Sequence, residues 1–255
     1  RPLEGSLMSN IEWTGETLNP TTGCDRISPG CDNCYALTMA KRLKGMGSAK
    51  YQTDGDPKTS GPGFGLAMHE DTLAAPLRWK DPRRVFVNSM SDLFHAKVTD
   101  EFIAKTFSIM ALTPQHTYQL LTKRHGRMRS LLGSPEFLRL VDDHREQTRP
   151  GCGDFTWPLP NVWLGVSVED QKWADIRIPA LLDTPAAVRF LSCEPLLGPV
   201  RLTHQDHSDH ARDWDGDWIC LDCSTDEEHV PWRTVRPNGI GIDWAGKVVE
   251  AVSGK

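Results

Sequence analysis

Cys24, Cys31 and Cys34 lie within the stretch "NPTTGCDRISPGCDNCYA" (19–36), with the spacing C-x6-C-x2-C. Thiols this close can form a disulfide framework, hold a zinc ion, or ligate an iron–sulfur cluster. The chain has seven cysteines, an odd number, and nothing in its 255 residues marks it for an oxidising compartment. No run of 18 apolar residues occurs, the first residues lack a charged-then-apolar leader pattern, and the mean hydropathy is -0.44. A soluble cytoplasmic protein is expected, with no membrane span. In such a compartment a tight cysteine cluster serves a metal or a catalytic device rather than a set of disulfides.

A second group of candidate ligands falls between His204 and Asn238. "HQDHSDHARDWDGDWICLDCSTDEEHVPW" is acidic and without helical or strand period, and it carries Cys220-x2-Cys223. This pair supplies half of a zinc site, with Cys152, His204, His207, His210 and His229 as candidate partners. The alternative is a plain irregular insertion.

The elements that must position these groups alternate. β-like runs at 83–90, 116–122, 161–168 and 187–194 are separated by helix-like stretches at 99–113, 123–132 and 169–184, with Thr99 or Asp100 as N-cap of the first. Near-continuous apolar strands with intervening helices imply a parallel sheet covered on both faces, either an open doubly wound sheet or a (βα) barrel. The strand ends read "NSMSD" (88–92), "TKR" (122–124), "SVED" (167–170) and "CEP" (193–195). In a barrel these polar groups share one rim, where active sites are built. No GxGxxG or Walker-type loop follows any strand, which disfavours the common nucleotide folds. Residues 45 to 75, rich in Gly, Pro, Thr and Asp, are expected to form a long loop over the barrel mouth or edge.

The net charge of -5 argues against a surface that is wholly a nucleic-acid footprint. Basic residues are nevertheless concentrated in "KRLKGMGSAK" (41–50), "RWKDPRR" (78–84) and "KRHGRMR" (123–129). Such segments suit phosphate contacts or, alternatively, plain solvated faces.

Cysteines in a loop directly before a helix, ahead of an alternating β/α chain, resemble the cluster loop of radical S-adenosylmethionine (SAM) enzymes. The usual spacing there is C-x3-C-x2-C, and the six-residue gap departs from it. "GCDNCYA", "VNSMSDLFH" (87–95) and "LLTKR" (120–124) are similar to segments of the spore-photoproduct-lyase-like branch. "IEWTGETLNPTTGC", "FVNSMSDLFH", "LGVSVE" and "FLSCEPLLGP" together resemble an uncharacterised phage-associated, radical-SAM-like family, over residues 10 to 202 and again at "GIDW" (241–244).

The resemblance implies an α/β fold, a partial (βα) barrel of radical-SAM type with a long irregular insertion near the C-terminus. Cys24, Cys31 and Cys34 would hold a 4Fe–4S cluster, in which three thiolates leave one iron open for SAM, and the reduced cluster would cleave SAM to a 5′-deoxyadenosyl radical. Asn88, Ser89, Ser91 and Asp92 would bind the polar parts of SAM. Ser167 and Glu169 would face the ribose or substrate, with Lys123 and Glu194 completing the rim as candidate catalytic groups. The substrate is expected to be a nucleic acid or nucleotide. Residues 1–9 read as a tag or disordered N-terminus, 10–202 as the barrel with its cluster loop, 203–238 as the insertion, and 239–255 as a final strand and tail. After "IDW" the chain runs "AGKVVEAVSGK" and stops, where the resemblance implies further barrel elements. A truncated barrel, or one completed by a protein partner or a second copy, is therefore expected. Two rivals stand beside this reading: a non-catalytic zinc-binding module using the same three cysteines, and a degenerate barrel acting as a phage interaction protein.

Overall fold

The computed structural model describes residues 14–200 and Leu202, and the backbone of four short strands at 210–212, 218–220, 240–242 and 248–250. Five strands form a parallel sheet in the order β1 (Glu16–Thr17), β4 (Arg84–Val87), β5 (Thr117–Thr122), β6 (Val162–Ser167) and β7 (Val188–Ser192). Side chains alternate between the faces of a strand, and one face of the central strands is an apolar row in which Val85, Val87, Tyr118, Leu120, Leu164 and Val166 are all buried, while the other buries Phe86, the polar Gln119 and Gly165. Burying one such aliphatic side chain is worth about 1.5–3 kcal/mol.

The strand order never reverses. A doubly wound sheet changes direction at a switch point, whereas successive one-handed crossovers that always add the next neighbour collect their helices on one side. The fold is thus α/β with a parallel sheet, compatible with a partial (βα) barrel. Two antiparallel pairs, β8 (His210–Arg212) with β9 (Trp218–Cys220) and β10 (Ile240–Ile242) with β11 (Val248–Glu250), form two-stranded sheets of their own. Cys220 ends β9, and Cys223 lies outside the described residues.

Among the described residues, the three longest helices each begin at a side-chain cap. α3 (Asp100–Leu112) starts where Thr99 accepts from the Phe102 amide, and it buries Phe102, Ile103, Phe107 and Met110 against the sheet. α6 (Gln171–Leu182) starts where Asp170 accepts from the Trp173 amide at 3.0 Å. α4 (His125–Leu132) follows β5. α5 (Pro135–Thr148) is an additional helix beyond the strand–helix alternation, capped by Ser134 through the Phe137 amide at 3.2 Å. It seats Phe137 edge-on against Phe107 of α3.

α1 (Tyr35–Gly45) follows the cysteine loop and covers a small second core of Ala36, Ala40, Tyr51, Phe64 and Met90. The expected loop at 45–75 contains short elements. β3 (Ala67–Met68) pairs with β2 (Thr21–Thr22), α2 spans Glu70–Leu73, and Lys44 pairs with Asp54 at 2.5 Å. This segment packs directly behind the cysteines. Gly23 has φ +87°, and a Cβ on it would stand 2.1 Å from the Gly65 carbonyl oxygen, so only glycine fits that crossing.

Candidate functional site

The chain leaves the edge strand β1, forms the short β2 and turns at Gly23 into the cysteine loop, at the carboxyl end of the sheet. Cys24 follows that turn, Cys31 closes a 3-10 turn over Pro29–Cys31, and Cys34 is the residue before α1. All three are half-buried free thiols, and Cys24 and Cys34 both pack against the small core under α1. Ser28 Oγ is 3.7 Å from Cys31 Sγ, and Arg124 Nη2 is 4.0 Å from Cys24 Sγ. Burial pushes the Cys24 thiol up to about 12; the Asp92 carboxylate adds to the rise, and the Arg124 guanidinium opposes it.

The strand ends converge on this loop. Asn88, Ser89, Ser91 and Asp92 follow β4, as the sequence reading expects, and they are tied largely to one another and to the loop. Asn19 Oδ1 accepts from the Ser89 and Met90 amides at 2.9 and 3.1 Å. Asn88 Nδ2 donates to Thr21 Oγ1 at 2.8 Å and Ser91 Oγ at 2.9 Å, while Ser91 Oγ donates to the Thr21 carbonyl at 2.9 Å. The buried Asn88 Oδ1 has no hydrogen-bond partner. Tyr35 Oη donates to the Ser89 carbonyl at 2.6 Å, joining the start of α1 to the same turn. Asp92 is buried and accepts from Thr122 Oγ1 at 2.8 and 2.9 Å, from the Lys123 amide at 3.0 Å and from the Phe94 amide at 3.0 Å.

Glu169, beyond the end of β6, is fully buried. Its Oε1 accepts from Ser28 Oγ at 2.7 Å and pairs with Lys123 Nζ at 2.6 Å and Arg177 Nη1 at 3.3 Å, and its Oε2 accepts from the Gly30 amide at 3.3 Å. Burial resists ionisation of this carboxyl, but Lys123, Ser28 and Arg177 outweigh it and hold the group below the usual carboxylate range. The expectation that Glu169 faces a ribose or substrate thus meets a side chain turned into the cysteine loop. Ser167 is buried at the end of β6, and its carbonyl accepts from Arg177 at 2.8 Å. Glu194 follows β7 and is half-buried, beside a Cys193 thiol whose pKa is raised by burial and by the Glu194 charge.

Two groups at the site carry no sequence signal of their own. Asp25 Oδ1 accepts from Thr59 Oγ1 at 2.8 Å and Ser60 Oγ at 2.7 Å, and Asp25 Oδ2 pairs with His95 Nε2 at 3.1 Å. Burial works against the Asp25 charge, yet the bonds from Ser60, Thr59 and His95 and the charge of Lys97 win, so this carboxyl lies well below its ordinary range. His95 is pushed down by burial and by Arg124, against the pull of Asp25. These partners come from sequence-distant segments, so only the fold reveals them. The basic residues of 123–129 are paired within the protein, Lys123, Arg124 and Arg127 at half-buried positions and Arg129 in an exposed ion pair. Lys123 goes to Glu169, Arg124 to the Asp25 carbonyl, Arg127 to the His95 and Val98 carbonyls and Asp100, and Arg129 to Asp183.

Among the described residues, no three His, Cys, Asp or Glu side chains gather closely enough to hold one metal ion. One tetrahedral ion needs its thiolates at about 2.3 Å from a single centre. A 4Fe–4S cube puts each thiolate on a different iron, so its ligands stand further apart. Three free thiols on one loop, with Arg124 beside Cys24 and Ser28 beside Cys31, are the donor type that such a cluster takes.

A family described as "Protein of unknown function (DUF5131)" matches residues 8–249. The chain belongs to this family. No curated protein matches it. Among solved structures, it is similar to a cysteine-to-serine variant of spore photoproduct lyase, with 14% identity and a TM-score of 0.43 over 76% of this chain and 49% of that one. It is also similar to a doubly substituted variant of that lyase with bound AdoMet and dinucleoside spore photoproduct, with 13% identity and a TM-score of 0.42 over 74% of this chain and 47% of that one. The chain spans about half the length of these structures. Among the described residues, no helix is long and apolar enough to cross a membrane.

Proposed function

We infer that this protein is a radical SAM enzyme that holds a 4Fe–4S cluster through Cys24, Cys31 and Cys34. The observation that carries the reading is the placement of three free, half-buried thiols at the carboxyl edge of a parallel sheet, on a loop pinned by side chains from three other strand ends. When bound, such a cluster supplies one-electron cleavage of SAM to a 5′-deoxyadenosyl radical.

The chain's own residues do the rest. Burial keeps Cys24 protonated near neutral pH, so ligation there releases a proton, and Arg124 beside it favours the thiolate. Asn88 offers its orphaned oxygen to a donor, and the Ser89 and Ser91 hydroxyls border the same turn, so these groups suit the polar parts of SAM. Asp92, fixed by Thr122 and two amides, acts by holding the ends of β4 and β5 together. Glu194 stands at the rim on the β7 side as a substrate-facing group. A nucleotide or nucleic-acid substrate is supported by the basic segment 41–50, since 78–84 precedes β4 at the amino end of the sheet and the cations of 123–129 are paired within the protein.

The test is reductive: protein reconstituted anaerobically with iron and sulfide is reduced with dithionite in the presence of SAM. Release of 5′-deoxyadenosine that depends on all three cysteines is the expected result. A reconstituted protein that neither binds SAM in calorimetry nor releases 5′-deoxyadenosine leaves the degenerate barrel as the better reading.

A further inference from the structure

Six residues separate Cys24 from Cys31, and both ends of this spacer are held from outside. At the first end, the Asp25 carboxylate takes hydroxyl donors from Thr59 and Ser60 of the 45–75 segment and the ring proton of His95. The His95 Nδ1 accepts from the Lys97 amide at 3.2 Å, which places the proton on Nε2, facing Asp25. At the second end, Ser28 Oγ and the Gly30 amide both donate to Glu169. The Cys31 amide in turn donates to the Ser28 carbonyl at 2.9 Å. The residue that reaches Glu169 is therefore the one whose backbone fixes Cys31 and whose hydroxyl lies beside its sulfur.

Glu169 is suited to this task by its other partners. Lys123 comes from the end of β5 and Arg177 from α6, so the carboxylate joins two barrel cations to two loop donors. A neutral side chain satisfies fewer of these donors, because only a carboxylate accepts on both oxygens. Gly30 completes the contact: a Cβ there would stand 2.5 Å from the Glu169 carboxyl carbon.

We propose that Glu169 is a positioning residue for Cys31, its buried carboxylate fixing the Ser28–Cys31 turn so that this thiol is set in place before any cofactor arrives. The geometry stands whatever the thiols bind, and only the consequence for cluster assembly rests on the radical SAM reading.

Hydrogen–deuterium exchange on the metal-free full chain tests it. In Glu169→Gln the amides of residues 28–34 are expected to exchange roughly tenfold faster or more, since charge-assisted bonds to the loop are lost, while those of α3 and β5 keep their wild-type rates. Equal rates in the loop, or acceleration spread evenly over the whole chain, would overturn the proposal. If Glu169→Gln does not fold, Ser28→Ala removes the hydroxyl donor from the loop side and leaves the Lys123–Glu169–Arg177 cluster intact; the same local acceleration is expected of it, and its absence refutes the role. After reconstitution, Glu169→Gln is expected to retain less iron and to give a broadened electron paramagnetic resonance signal when reduced. Iron uptake by the wild type, with an identical spectrum in the variant and unchanged loop exchange, again overturns the proposal. A chain that takes up no iron in any form sinks the cofactor reading, and the exchange rates alone then decide the role of Glu169.

Discussion

Removing the Asp92 carboxylate by Asp92→Ala is predicted to loosen the joint between β4 and β5. Asp92 accepts from two backbone amides, those of Phe94 and Lys123, and from the buried Thr122 hydroxyl. Each buried donor left without an acceptor costs about 1–3 kcal/mol, so with partial relief from entering water the loss should be about 3 kcal/mol. For a domain of this size 1 kcal/mol moves Tm by roughly 2–4 °C, which gives a fall of roughly 6–12 °C for the metal-free protein in thermal denaturation. Asp92→Asn recovers only part of this, because an amide group turns a donor toward one of the two N–H groups. The same variants report on Cys24. Its thiol is pushed from 9.0 to about 12 by burial first and by Asp92 second, so losing the carboxylate should move the alkylation midpoint of Cys24 to lower pH. The sign for stability follows: folding favours the protonated thiol, so its contribution is fully present below pH 9 and is lost as pH rises from about 9 to about 12. A Tm within about 2 °C of wild type, together with an unshifted Cys24 alkylation profile, would refute this account of Asp92.

Gly23→Ala forces a side chain into a left-handed turn pressed on Gly65, and strain alone costs about 1–2 kcal/mol before the clash is counted. Urea denaturation should show at least that loss, and an unchanged midpoint would mean the crossing adjusts freely. If Cys220 and Cys223 form a zinc knuckle, a double Ser variant should lose about one equivalent of zinc, measured by mass spectrometry, and keep its iron. Zinc that stays bound in that variant would rule the knuckle out.

Much of the scaffold was legible in the sequence because it is written in local signals. The runs at 83–90, 116–122, 161–168 and 187–194 contain β4 to β7, and a cap at Thr99 or Asp100 was readable before α3, of which the fold uses Thr99. β1 was not legible, since a two-residue strand has no period and its Glu16 is a charged residue buried through a 2.6 Å pair with Arg83. α5 does carry a local start signal, Ser134 followed by Pro135 and Glu136. The strand ends were found by type and place, but their partners were not. Ser89 and Ser91 engage Asn19 and Thr21 across 70 positions of sequence, and Asp25 engages His95 across the same distance. Such pairs follow from the parallel register of β1 and β4, which no local pattern encodes. Glu169 illustrates the limit: its place on the rim was readable, and its turn inward to Ser28 and Gly30 was not.

The central claim is that Cys24, Cys31 and Cys34 act as one cluster-binding unit. The most direct measurement is iron, sulfide and zinc per chain in anaerobically reconstituted wild type, Cys31→Ala, Cys152→Ala and Cys193→Ala. The account predicts a brown wild type with about four iron and four sulfide per chain, unchanged in Cys152→Ala and Cys193→Ala and largely lost in Cys31→Ala. A Cys31→Ala protein that reaches full iron content, or a colourless wild type that binds zinc through these thiols, would contradict it.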